Sequence, residues 1–336
     1  MRKILIFGAG SIGNHMTKAC TSLGWKVFIT DKNSEALKRM KFQIYPKRYK
    51  KWNSNIVQIN FKNVFKLKDK FDIIIIGTPP TTHYDIYEKC KKELNLINTY
   101  RKPISNYLDN KILKIKKDLN KFYIFCGYNH TVNPSLEFFF KLLKYNKKNI
   151  NSVFINWKEG WKGILGAHPW LKDEFDSYLG NFKKGGGAVQ EHSHGLHILV
   201  NILKILSINN FIKINQKIFF KNKNNIKYDY FANLSFEMKK IFFKYETDLI
   251  TIPAQKNIHI GLKNGYLKWI CNYKQNQDLV IVDINGKEKK KKFMKTRSSE
   301  FINELIHIDK IKLKKQYNYS SINIYNALET FKTIKK

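Results

Sequence analysis

Over residues 1–127 the chain alternates two apolar patterns. Short, nearly continuous apolar runs occur at 4–7, 26–30, 71–76, 94–98 and 123–126, and Ile73 to Ile76 is isoleucine four times in succession. Continuous apolarity predicts strands covered on both faces, as in the middle of a parallel sheet. Between these runs apolar positions recur at helical spacing. Ile12, Met16, Ala19, Cys20 and Leu23 form one such face, and residues 34–40, 84–94 and 108–119 read as further helices. Residues 47–51 read as a basic loop, with Tyr45 just before it and Tyr49 within it. After residue 127 the pattern changes. Residues 136–143 are an apolar helix, and from Val153 onward alternating apolar and polar positions dominate. Asn264-Gly265 separates runs 258–262 and 266–271, and Asn285-Gly286 separates 279–283 and 289–294. Asn-Gly is a strong hairpin signal because both residues accept positive φ. Residues 231–238 and 241–245 read as two more strands, and 300–308 and 322–333 as closing helices.

The expected fold is therefore α/β. A doubly wound parallel sheet of the Rossmann type over residues 1–127 is followed by an α+β domain over 128–336 with an open, mostly antiparallel sheet. The last helix is free to pack back on the first domain.

The first strand runs into Gly8-Ala9-Gly10-Ser11-Ile12-Gly13, then a helix, then a second strand ending at Asp31. This strand, glycine turn, helix, strand and acid is a dinucleotide-binding fingerprint in its expected context. Gly8 allows the tight turn, Gly10 lets a pyrophosphate approach the backbone, and Gly13 lets helix and sheet pack closely. The helix N-terminus, at Ser11 and Ile12, offers N–H groups and a positive dipole end to phosphates. Asp31, 18 residues past Gly13, is placed to accept hydrogen bonds from ribose hydroxyls and to repel a 2′-phosphate. That favours NAD, with NADP as the alternative because Lys32 and Arg39 lie close by in sequence. A second strand-to-loop junction, Gly77-Thr78-Pro79-Pro80-Thr81-Thr82-His83, faces the same carboxyl end of the sheet.

Composition narrows the class. With 336 residues and 43% hydrophobic content, two domains with sizeable cores are affordable. No apolar run approaches the ~18 residues a membrane helix needs, and the Met-Arg-Lys start is followed by too short an apolar run for a signal peptide. Cys20, Cys90, Cys126 and Cys271 show no paired spacing, which fits reduced thiols in a cytoplasmic protein without structural zinc. The formal charge of +36 comes mostly from lysines spread through every segment. No nucleic-acid-binding motif accompanies them, so the charge reads as a compositional trend, and neither nucleic acid nor membrane is an expected partner. It would suit an anionic carbohydrate.

The other candidate chemistry lies in Gly185-Gly186-Gly187-Ala188-Val189-Gln190-Glu191-His192-Ser193-His194-Gly195-Leu196-His197. A glycine loop here feeds a helix marked by Leu199, Ile202, Leu203 and Leu206. Three of the nine histidines fall within six residues, and histidine exchanges protons near neutral pH. Glu191, His194 and His197 share a face if the helix has begun. The spacing is not that of a zinc site, so no metal is expected. Helix capping and backbone hydrogen bonding are the alternative role of these groups.

Five motifs, in this order and spacing, resemble the glucose–fructose oxidoreductase / inositol dehydrogenase (Gfo/Idh/MocA) family. They are Gly8 to Gly13, Thr78 to His83, Lys102-Pro103-Ile104-Ser105, Gly127-Tyr128-Asn129 and Gly185 to His197. The resemblance implies a Rossmann domain plus an α/β domain whose open sheet mediates a homodimer or homotetramer. It implies cofactor contacts from Thr78, Pro79, Pro80, His83 and Lys102, and a catalytic Lys102 that holds the reacting hydroxyl. His194 is implied as proton acceptor, with Glu191 where the family commonly has aspartate. Arg101 replaces the family's acid before Lys102, and His197 replaces a later aspartate; His192 stays open as an alternative base. The segment 157–179 is implied to line the substrate pocket, with Trp170, Asp176, Tyr178 and His197 as substrate contacts. The implied activity is NAD(P)-dependent hydride transfer to or from a secondary alcohol or ketone of a sugar, polyol or nucleotide sugar. An NAD-dependent redox glycoside hydrolase and a non-catalytic cofactor-binding regulator are the alternatives.

Overall fold

The computed structural model describes residues 1–94, 98–100, 105, 110–118, 122–208 and 215–335. The chain divides into two compact units, Met1–Asn129 with Arg297–Ile324, and His130–Thr296 with Tyr325–Lys336.

In the first unit, β1 (Lys3–Phe7), α1 (Ser11–Ser22), β2 (Lys26–Asp31), α2 (Ser34–Arg39), α3 (Tyr45–Tyr49), β3 (Ile56–Asn60), β4 (Ile73–Ile76), α4 (His83–Glu93), β5 (Asn98–Tyr100) and β6 (Ile124–Cys126) follow in turn. The six strands are all parallel, in the order β3-β2-β1-β4-β5-β6. That is the dinucleotide-binding order, whose direction reverses between β1 and β4 and leaves a crevice at their carboxyl ends. The runs Ile4 to Phe7 and Ile73 to Ile76 are fully buried because helices cover both faces. Met16, Ala19 and Cys20 pin α1 to the sheet, and burying a side chain as large as Met16 is worth roughly 1.5–3 kcal/mol.

Three expectations change here. The basic loop at 47–51 is in part a helix. A π-type turn at Met40–Ile44 carries α2 into α3, whose first turn holds Pro46, where a missing N–H costs nothing. β3 was not anticipated; it is an edge strand of five residues, half exposed, so its apolar signal is weak. Asn110–Asp118 is a 3₁₀ helix where an α-helix over 108–119 was expected; residues 95–97, 106–109 and 119–121 lie outside the described residues.

The second unit begins with α5 (Pro134–Asn146), β7 (Ile150–Lys158), α6 (Trp161–Gly166), α7 (Ala188–Glu191) and α8 (Ser193–Ile205). Strands β8 (Asn215–Lys223), β9 (Ile226–Met238), β10 (Ile241–Asp248), β11 (Gln255–Leu262), β12 (Gly265–Lys274), β13 (Gln277–Ile284) and β14 (Lys287–Met294) follow. They form one sheet in the order β14-β13-β12-β11-β7-β10-β9-β8. Only β7 and β10 pair in parallel; the other pairs are antiparallel. Both hairpins occur as expected: Asn285 at φ 56° and Gly286 at φ 75° form the turn of the second, whereas in the first Gly265 already pairs with Leu262 and the turn falls on Lys263 and Asn264. One sheet face is the core: Val153, Ile155, Trp157, Phe243, Tyr245, Ile258 and Ile260 pack in one apolar cluster with Phe139 and Leu143 of α5 and Leu196, Leu199 and Ile202 of α8. The chain then returns to the first unit with α9 (Arg297–Leu313), which lies along α1 and stacks Phe301 on His15 at 5.0 Å. Beyond Ile324, α10 (Ile324–Lys335) runs with the second unit, where Lys204 donates to the Asn326 side chain.

All four cysteines are buried and none forms a disulfide. Among the described residues no helix is long and apolar enough to cross a membrane.

Candidate active site

The glycine turn sits at the carboxyl end of β1, beside β4. Gly8 has φ +101°, and a Cβ there would lie 2.8 Å from the Gly77 carbonyl. The turns after β1 and β4 therefore approach backbone to backbone. A Cβ on Gly13 would lie 1.9 Å from the Gly8 carbonyl, so only glycine lets α1 start this close to its strand. Gly10 is different: a Cβ there would meet nothing within 4 Å. It faces open space at the N-terminus of α1.

That terminus has no side-chain cap and no acidic residue in its first turn. Gly10 is the cap residue, and Asn14 donates to the Ala9 and Gly10 carbonyls at 3.1 and 2.9 Å. The first N–H groups, those of Ser11, Ile12 and Gly13, have no intrahelical partner. An uncapped dipole end behind a glycine with room in front of it fits a dinucleotide pyrophosphate.

Asp31 braces the same turn. Its Oδ2 accepts the Ala9 N–H at 2.8 Å and its Oδ1 the Asn33 N–H at 2.9 Å. A carboxylate has about four lone-pair sites, so capacity remains for ribose hydroxyls. Across the crevice, Pro79 is exposed and Pro80 buried. Thr82 donates to the Thr78 hydroxyl and the Pro79 carbonyl, both at 2.8 Å. His83 is fully buried with Nε2 2.8 Å from the Thr78 carbonyl, so its ring holds the shape of this loop. Arg101, Lys102, Pro103 and Ile104 lie outside the described residues.

In the second unit the triple glycine runs under a buried carboxylate. Asp229 of β9 is fully buried, and its Oδ2 accepts the Val189 N–H at 2.7 Å. Gly187 has φ +94°, and a Cβ there would lie 1.9 Å from Asp229 Oδ1. Burial pushes the Asp229 pKa up to about 7, against the backbone N–H groups of Val189 and Ala188 that pull it down. Gln190 donates to the Phe182 and Gly186 carbonyls at 3.2 Å each and ties the loop to the turn before it. The helical run then breaks briefly at His192, whose carbonyl accepts the Tyr245 hydroxyl at 3.1 Å.

His194, in the first turn of α8, is buried among aromatic rings. Its imidazole lies 4.7 Å from His130, edge to face, and 5.7 Å from Trp157, stacked. His130 in turn meets Trp157 at 4.9 Å. Gly195 next to it has no room for a Cβ, which would lie 2.5 Å from the Tyr245 ring, so α8 presses onto the sheet and aims this cluster. The two imidazoles are thus in direct ring contact, edge to face.

No protein-family model matches the sequence, and no curated protein matches it. Solved structures do. An aldose-aldose oxidoreductase from Caulobacter crescentus, in complex with glycerol, superposes with a TM-score of 0.75 at 12% identity, covering 99% of this chain and 95% of its own. An oxidoreductase from Agrobacterium radiobacter, in complex with NAD+, L-tartaric acid and magnesium, gives 0.72 at 13%, covering 98% and 93%. UDP-N-acetylglucosamine 3-dehydrogenase from Acidithiobacillus ferrooxidans gives 0.69 at 10%, covering 99% and 95%. The chain shares the fold of these three proteins.

The remaining expected residues fall in different settings. Tyr178 is half-buried in an apolar cluster with Leu179, Ala188 and Tyr228. Burial and then the Glu191 carboxylate push its phenol pKa up, so these two residues are neighbours. Asp176 is exposed and its carboxylate closes a local turn by accepting the Lys172 N–H at 3.0 Å. Trp170 packs edge-on against His168 at 5.4 Å. His197 is fully buried beside the Asn201 side chain, which makes it part of the α8 packing and leaves no surface for a substrate. Among the described residues no group of three or more His, Cys, Asp or Glu side chains could hold a metal ion. His130 and Asp229 were missed from the sequence, and Trp157 entered only as the first residue of the segment 157–179. His130 had a signal, standing directly after Gly127-Tyr128-Asn129; Asp229 had none.

Proposed function

We propose that the protein is an NAD(P)-dependent oxidoreductase acting on a secondary alcohol or ketone of a sugar, polyol or nucleotide sugar. The observation that carries the reading is the uncapped start of α1 behind the open Gly10, at the strand-order reversal of a six-stranded parallel sheet. The fold likeness to a dehydrogenase of a nucleotide sugar and to an oxidoreductase holding NAD+ supports it.

When bound, the nicotinamide supplies the hydride acceptor or donor. In the first unit, Ser11, Ile12 and Gly13 present N–H groups to the pyrophosphate, Asp31 takes the ribose hydroxyls, and the loop from Thr78 to Pro80 shapes the nicotinamide side. In the second unit, His194 takes the hydroxyl proton, with His130 as the neighbour that shares it. Lys102 holds the reacting oxygen and stabilises developing negative charge there. Glu191, beside Tyr178, and Trp170 and Asp176 in the segment before it are the substrate-side groups. Asp31 favours NAD over NADP.

The protein assembles as a homodimer or homotetramer through the open face of the eight-stranded sheet. An aromatic row there, Phe242, Phe154, His259 and Tyr266, crosses four neighbouring strands with ring centroids 5.9, 6.4 and 5.4 Å apart. Buried thiols and a diffusible nicotinamide cofactor suit the cytoplasm.

Fluorescence titration of the purified protein with NADH and NADPH tests the reading. Micromolar NADH binding with at least tenfold weaker NADPH is expected. A folded protein that binds neither would refute it.

A further inference from the structure

The first turn of α1 carries a second group of side chains that the fingerprint does not include. Arg48 reaches over from α3 and donates from Nη1 to the Ser11 hydroxyl at 3.2 Å. Ser11 is the first residue of α1, where the N–H groups have no intrahelical partner. Arg48 is not a loosely held surface side chain. Tyr49, next to it, hydrogen-bonds through its hydroxyl to His15 Nδ1, one turn further along α1. His15 is stacked on Phe301 of α9, and the Arg297 guanidinium lies over the Phe301 ring, 5.0 Å from its centroid.

A guanidinium group therefore stands beside a helix N-terminus that has no acid in its first turn. Arg297 has Glu300 at 2.8 Å to balance it. Burial, and then the Arg297 charge, push the Arg48 pKa down from its ordinary value, with the Tyr49 phenol opposing. Guanidinium is the side chain best shaped for two phosphate oxygens at once.

We propose that Arg48 is a binding residue for the diphosphate of a nucleoside diphosphate moiety, closing on the phosphates that the start of α1 receives. The proposal rests on the dinucleotide reading above. It gives the π-turn and α3 a function: they bring a basic segment back across α1, where a direct connection from α2 to β3 would not reach. It also separates two roles, with Asp31 reading the ribose and Arg48 reading the phosphates.

The test compares wild type, Arg48→Gln and Arg48→Lys by NADH fluorescence titration, with ADP and adenosine as competitors. Loss of a charge-assisted phosphate contact weakens NADH and ADP by about tenfold or more, while adenosine, which has no phosphate, competes equally with all three proteins. Arg48→Lys falls between, as a point charge without the fork. A Kd for NADH and ADP within about twofold of wild type in Arg48→Gln overturns the proposal while leaving the dinucleotide reading intact. Failure of wild type to bind NADH or ADP overturns both. Should Arg48→Gln not fold, wild type labelled with a dicarbonyl reagent decides. Mass spectrometry would show ADP, and not adenosine, protecting Arg48; equal labelling with and without ADP overturns the proposal.

Discussion

Asp229 is the residue whose setting departs furthest from its sequence. It stands on β9, in a strand that otherwise reads as ordinary alternation, yet its carboxyl is fully buried against the Gly187 backbone. Burial raises its pKa from 3.8 to about 7. In the unfolded chain it ionises near its ordinary value, so from about pH 4 to about pH 7 the folded state holds one proton more than the unfolded state. Stability from this group is thus complete below pH 4 and is lost as the pH rises through 7, with a slope approaching 1.4 kcal/mol per pH unit. Urea denaturation at pH 5, 6 and 7 should show wild type losing stability relative to Asp229→Asn across that range. Parallel pH profiles for the two proteins would contradict it. Nothing in the sequence marks this aspartate: a polar residue on a strand reads as outward, and only the positive φ of Gly187 makes room for it. The glycines were legible because each answers a steric demand of a recognised motif. His194 was singled out by the resemblance, whereas the ring partners that bury it, His130 and Trp157, arrive from distant elements.

At the scale of elements, the junction between β1 and α1 separates two glycine roles. Gly13 has the Gly8 carbonyl where a Cβ would go, and Gly10 has open space and an ordinary φ of −75°. Gly13→Ala must push α1 off its strand, at a cost of about 1–3 kcal/mol, and should lower both urea stability and NADH affinity. Gly10→Ala should leave stability within about 1 kcal/mol and still weaken NADH binding by about tenfold or more, because its methyl group occupies the phosphate approach. Equal effects of the two substitutions on stability would mean that Gly10 also packs against protein. Strands β1, β2 and β4 were legible because central parallel strands are apolar throughout. β3 and β8 were not, because each is an exposed edge strand with little buried apolar pattern. β8 is exposed almost along its whole length, so it has no apolar face to read; its pairing with β9 comes from the turn at Asn224 and Asn225, both at positive φ. Helix α3 was hidden by composition, since a basic stretch following a proline looks like a loop until Tyr45 and Tyr49 are seen to pack.

At the scale of the whole molecule, the charge of +36 takes on a local meaning at the second sheet. Five of the eight residues of β14 are lysine, and β8 at the opposite edge carries Lys217, Lys221 and Lys223. Lysine-rich edges resist pairing with another sheet edge, since each added strand would bring like charges together. The open face of the same sheet is different. Phe154, Phe242, His259 and Tyr266 alternate with core-facing residues on their strands, so all four point away from the core, and Phe242 is 41% exposed. In the assembly proposed above, an aromatic row between charged edges would direct association through the face and away from the edges. Sedimentation velocity should therefore find a dimer or tetramer in wild type. Phe154→Glu with Phe242→Glu should yield a monomer whose melting temperature stays within a few degrees once oligomer stabilisation is allowed for. Neutralising β14 by Lys289→Gln and Lys291→Gln should leave the oligomer unchanged. A monomeric wild type, or a glutamate variant that assembles as before, would mean that the aromatic row stabilises the sheet and holds no second copy. Loss of the oligomer in the lysine variant would move the interface to the edge.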